Sequence, residues 1–197
     1  MTWVIWAGVT GLASSAVFSS VLRLDRGPFV LAHVVMVGVV YEIFRRHGRL
    51  EVWGALRIRP VPGLIAGVVL GLALALSVLR LPPGLAPRGL SLVMALSWYG
   101  VVYGVADAVL LTIVPVLAVR GALAGLAGSM LVAALYHLGF EEFRGATLVQ
   151  PLVGNAVITA GYLVTRNPAT PLVSHVVMHA AAVLHGMEVT PQLPPHY

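Results

Sequence analysis

The residues of this chain best suited to chemistry lie where they are most costly to keep, inside long apolar stretches. The segment Ser174 to His185, SHVVMHAAAVLH, carries three histidines. His175 and His179 are four residues apart, so a helix places them on one face, one turn apart. His185 falls on another part of the helix surface. Asp107 sits midway along WYGVVYGVADAVLLTIVPV, with no basic residue near it in sequence. A lone aspartate in mid-membrane costs roughly 3 kcal/mol on insertion scales. His137 and Glu141 form a second pair at i,i+4. Such groups either line a polar site or sit as neutral partners hydrogen-bonded to neighbouring helices. Carboxylate plus imidazole can activate a water molecule. The same donors can hold a divalent metal: three of them plus water satisfy zinc, and His137, His175 and His179 are the metal candidates. With no cysteine in the chain, thiolate ligands, a thiolate nucleophile and disulfides are excluded. Paired membrane histidines can also ligate haem iron, for which His137 opposite His175 is the candidate pair.

The elements that must position these groups are membrane helices. The chain is 59% hydrophobic and 10% charged, with mean hydropathy +0.94. Soluble domains carry about 25% charged residues, so lipid must be the solvent here. All 12 basic residues are arginine, and the net charge is +5. In such a chain, basic residues set orientation and meet lipid headgroups. No motif for nucleic acid is present. The N-terminus MTWVIWAG lacks a basic n-region and reads as the first membrane helix.

A crossing needs about 20 mostly apolar residues. The expected spans are 2–22, 28–44, 61–80, about 90–119, a fifth from Ala122, 152–165, and about 170–187. The fold class is therefore all-α, a polytopic bundle of about seven transmembrane helices, with residues 1–197 forming one integral membrane domain. The loop RRHGRLEVWGALRIRP holds Arg45, Arg46, Arg49, Arg57 and Arg59. It is expected in the cytoplasm, and the N-terminus with it, with Trp53 at headgroup level. Pro115 is expected to kink the fourth span. The fifth helix is expected to run past His137 to within a turn of Pro151, with Glu141 or Glu142 paired to an arginine. At 1.5 Å per residue, only a long fifth helix and a short sixth bring His137 level with His175. The tail VTPQLPPHY reads as irregular. The tetrapeptide HVVM occurs at His33–Met36 and again at His175–Met178, too little to make a repeat.

The order of these residues resembles the CPBP family, the CAAX-protease and bacteriocin-processing intramembrane proteins. That family carries EExxxR, FxxxH and HxxxN motifs on separate helices. The third motif is matched by His175-Val-Val-Met-His179, with histidine for asparagine, after the turn RNPATPLVSH. The second is matched by Ala133-Ala-Leu-Tyr-His137, with alanine for phenylalanine. For the first, Asp107 stands alone, with no arginine following. GFEEFRG has the glutamates, but Arg144 is too close to Glu142 and no histidine motif would fit before His175. The resemblance covers about residues 90–187. It implies an intramembrane peptidase of prokaryotic plasma membrane, acting on a peptide or prenylated protein. It implies Asp107 or Glu141 as general base, His137 and His175 orienting water, and His179 as oxyanion donor. A relative that keeps this fold without catalysis, as a scaffold, is the other reading.

Overall fold

The computed structural model describes residues 2–48, 52–80, 82–140 and 143–186. All secondary structure among them is helical. We number the principal helices α1 (Thr2–Val21), α2 (Arg26–Gly48), α3 (Pro60–Val78), α4 (Leu90–Leu117), α5 (Ala122–Leu138), α6 (Gly145–Thr165) and α7 (Ala169–Leu184). Five of them, α1 to α4 and α6, are long and apolar enough to cross a membrane; α5 and α7 are shorter apolar helices. The protein is thus an all-helical integral membrane protein. Its outer faces match, since Val35, Val39, Leu64, Val69, Leu72 and Leu76 are all exposed. In water such surfaces would drive association; in lipid they cost nothing. Arg49, the Trp53 side chain, Glu141, Glu142 and the tail VTPQLPPHY lie outside the described residues.

Helices in lipid gain little from burying more apolar surface, so they associate through close approach and hydrogen bonds. The α3–α7 pair shows both. Gly63, Gly67 and Gly71 make one stripe on α3. A Cβ at Gly67 would lie 2.7 Å from Val173 Cβ and 3.0 Å from the Ala169 carbonyl oxygen. A Cβ at Gly71 would lie 2.7 Å from Val177 Cβ and 3.0 Å from the Ser174 carbonyl oxygen. Thr170 and Ser174 donate hydroxyl protons back to the Gly63 and Gly67 carbonyls, both at 3.1 Å. The far side of α7 is approached as closely by α4, where a Cβ at Gly104 would stand 3.0 Å from the Val176 backbone. The chain enters α7 through Asn167, whose amide nitrogen donates to the Leu56 carbonyl at 3.0 Å while its oxygen accepts from Ala169 N–H at 2.7 Å. One fully buried side chain therefore ties the start of α7 to the segment before α3.

Pro115 sits in α4 as expected, and its consequence is visible. Proline has no N–H to give the carbonyl four residues back, at Leu111. Ser129 of α5 donates to that carbonyl at 2.6 Å instead. The helix absorbs the strain by widening to π winding at Ala108–Ile113, and again at Leu96–Val102. Asp107 ends the short α-helical stretch between these two π segments, a setting frequent at functional sites.

The expected long fifth helix is not found. α5 stops at Leu138, and the next helix begins at Gly145. Two local causes are evident. Gly139 packs so tightly on α1 that a Cβ would overlap Ser15, and Ser20 donates to the Gly139 carbonyl at 2.8 Å. Phe140 and Phe143 then turn back into the core, at 1% and 5% exposure. Gly145 adopts φ +85°, which any larger residue would resist. Pro151 falls in the first helical turn of α6 after its 3₁₀ start, where proline is tolerated. The depth arithmetic assumed that every helix spans the bilayer. At 17 and 16 residues, α5 and α7 are the shortest of the seven, and the last turn of α5 and the middle of α7 line one cavity.

Candidate functional site

Asp107, His137, His175 and His179 line one cavity of about 80 Å³, together with Tyr103, Tyr136, Phe143 and Asn155. That is room for ordered water among polar partners. α4 supplies the carboxylate, α5 one imidazole and α7 two. Glu141, the other expected carboxylate, lies outside the described residues.

Each side chain has a distinct hydrogen-bonding state. His179 is 1% exposed, and its Nε2 donates to Asp107 Oδ2 at 3.2 Å. The Tyr103 ring packs edge-on to His179 with centroids 4.6 Å apart. His137 Nδ1 lies 2.8 Å from the Ala133 carbonyl. A carbonyl only accepts, so Nδ1 carries the proton and neutral His137 keeps a lone pair on Nε2. His175 is 3% exposed, and among the described residues neither ring nitrogen has a hydrogen-bond partner. A buried imidazole without a partner is costly, and it lines the cavity. His185 caps the end of α7 and is not among the cavity residues.

The floor of the cavity is hydrogen-bonded throughout. Asn155 of α6 donates to Ser129 Oγ at 2.9 Å and accepts from Thr112 at 3.2 Å, and Ser129 meets Thr159 at 2.8 Å. These four buried residues lock α4, α5 and α6 together below the site. The Tyr103 and Tyr136 hydroxyls join at 2.5 Å beside it.

A second histidine reaches Asp107 from outside the cavity. His33 of α2 is fully buried, and its Nε2 lies 3.1 Å from Asp107 Oδ1. In the sequence His33 stood out only as the first residue of the HVVM tetrapeptide. The helix begins at Arg26, which sets His33 two turns in. The cost of a histidine in lipid, applied to His175, applied equally here.

The donors were also tested against a metal and a haem. Ligand atoms of Asp107, His175 and His179 all lie within 4.8 Å of one another. Ligands about 2.0–2.1 Å from a tetrahedral zinc stand roughly 3.3 Å apart, close to the 3.2 Å between His179 and Asp107. Among the described residues these three form the group placed to hold a metal ion, with Asp107 where His137 was expected. A haem does not fit: ordinary cofactor pockets run to about 300 Å³ and more, against about 80 Å³ here.

Comparison of the chain with family models, with curated proteins and with solved structures gave no match in any of the three.

Proposed function

We propose that this protein is an intramembrane peptidase of the CPBP type, hydrolysing a peptide bond with a water held between Asp107 and the cavity histidines. The supporting observation is the convergence of Asp107, His137, His175 and His179 from three helices on one cavity. An ionised carboxylate has about four lone-pair sites. The contacts from His33 and His179 leave Asp107 able to accept a proton from water. His137 Nε2 accepts the water's second hydrogen bond and fixes its direction. The hydroxide oxygen attacks the scissile carbonyl carbon. Negative charge develops on the carbonyl oxygen, and the N–H of His175 is the donor for it. His179 spends its Nε2–H on Asp107, so the oxyanion role falls to His175 rather than His179. The carbon–nitrogen bond then breaks, and the proton held by Asp107 passes to the leaving amine. The cavity is smaller than a peptide, so a substrate has to displace part of its lining to reach Asp107.

The test is cleavage of transmembrane-peptide libraries by purified protein. His175→Ala is expected to lose cleavage by at least about 10²-fold, the usual effect of removing an oxyanion donor. It should keep its helicity and membrane insertion. If it instead loses only thermal stability, and wild type cleaves nothing, the scaffold reading replaces this one. A second reading rests on the ligand spacing: Asp107, His175 and His179 would hold zinc, which would supply Lewis-acid polarisation there. Cleavage that survives exhaustive chelation would remove it.

We also propose that α5 and α7 complete a seven-crossing topology with the N-terminus and residues 45–60 in the cytoplasm. Arg45, Arg46, Arg57 and Arg59 flank that connection, and basic residues are retained on the cytoplasmic side. The absence of cysteine makes the test clean. A single cysteine at position 49 should resist an impermeant maleimide in intact cells, and one at position 85 should react. The reverse pattern would invert the orientation.

A further inference from the structure

We propose that His33 is a positioning residue, clamping Asp107 from behind so that its other oxygen stays on His179 and the cavity. This deepens the reading above and rests on Asp107 being the carboxylate of that site.

The geometry sets up a directed chain across three helices. His33 Nδ1 lies 3.1 Å from Ser14 Oγ on α1, and His33 Nε2 lies 3.1 Å from Asp107 Oδ1 on α4. A carboxylate only accepts, so an attractive contact requires the proton on Nε2. Neutral His33 then has a bare Nδ1 and needs a donor there. Ser14 can be that donor. Its hydroxyl lies 2.9 Å from the Gly11 carbonyl, but Ser15 Oγ reaches the same carbonyl at 2.9 Å. The Gly11 carbonyl therefore keeps a side-chain donor, Ser15, when the Ser14 proton turns to His33 Nδ1. The chain runs Ser14 O–H to His33 Nδ1, then His33 Nε2–H to Asp107. At Asp107 it meets the bond from His179 Nε2–H on the other oxygen.

His33 cannot shift to another partner. It is fully buried, stacked on Phe29 at 6.0 Å and held edge-on by Tyr103 at 5.5 Å. Tyr103 packs the same way on His179, so one ring spaces both histidines about the carboxylate. The Nε2–Oδ1 contact is at bonding distance, but its angle falls outside good hydrogen-bond geometry. A small rotation of Asp107 makes it a bond. His33 is not among the residues that line the cavity; it meets the site through Asp107 and through the rings of Tyr103 and Tyr136.

The experiment is ¹⁵N-histidine NMR of the full chain in nanodiscs, where ring-nitrogen shifts report which nitrogen carries the proton. Wild-type His33 is expected with Nε2 protonated and Nδ1 bare. Ser14→Ala should shift the His33 Nδ1 signal by removing its donor. His33→Leu should move the His179 Nε2–H resonance, because Asp107 loses one of its two restraints. His33→Gln keeps an N–H donor and should restore that resonance toward its wild-type position. A merely structural His33 would alter thermal stability and leave the His179 signal in place. The proposal is overturned by His33 protonated on Nδ1 in wild type, or by a His179 signal unmoved in His33→Leu. If His33→Leu does not fold, the wild-type tautomer and Ser14→Ala decide alone. The readout is spectroscopic, so a failed peptidase assay would sink the proposed function and leave this result intact.

Discussion

Asp107→Asn is expected to reduce cleavage by about 10²–10⁴-fold, the range for loss of a positioned acid–base group, while the protein stays folded. The amide keeps the size of the carboxylate but cannot take a proton from water. It also offers N–H groups where His33 and His179 already present theirs. One of the two contacts, at 3.1 and 3.2 Å, must then become donor against donor. Either imidazole can relieve this by changing tautomer, so the fold survives and the chemistry does not. Asp107→Leu is the harsher change. It leaves two buried imidazoles without their shared acceptor, each costing about 1–3 kcal/mol. A fall in thermal unfolding temperature for Leu, with little fall for Asn, would separate structural from chemical cost. Full cleavage by Asp107→Asn would exclude Asp107 as the base.

Gly71→Leu is expected to destabilise the protein by more than the roughly 1–3 kcal/mol of ordinary overpacking in a core. The new side chain would begin 2.7 Å from Val177 Cβ and 3.0 Å from the Ser174 carbonyl, and a backbone atom cannot turn aside. α7 must move, and His175 and His179 move with it. Gly38→Leu is the control. It adds the same side chain to a glycine with nothing within 4 Å, on an exposed part of α2. Thermal unfolding in detergent should show a large loss for Gly71→Leu and none for Gly38→Leu. Equal effects would mean that the α3–α7 contact does not hold the bundle.

What the sequence made legible follows from where the physics is local. Apolar length marks helices one by one, and α1 to α4 were found near their observed bounds, whereas α6 begins at Gly145, well before its expected start at 152. The i,i+4 spacing of His175 and His179 needs only helix geometry, and both line the cavity. Asp107 stood out because a lone carboxylate in lipid demands a partner. Which partner it has depends on tertiary packing, and no local pattern ties residue 107 to residue 33. The end of α5 was misread for the same reason. Gly139 stops the helix because α1 is pressed against it, and that contact is invisible along the chain. His33 could have been found by treating every intramembrane histidine alike.

The grip on α7 from both sides has a consequence for how such a protein can diverge. At positions 67, 71 and 104 no side chain fits without moving backbone, so these three sites carry almost no freedom to drift. The chemical residues are under a different constraint, since each can be exchanged for a similar donor or acceptor in the same space. Distant relatives are therefore expected to keep the glycine spacing of α3 and α4 longer than the side chains of the cavity. A lineage that lost Asp107 would still assemble; one that lost Gly67 would not.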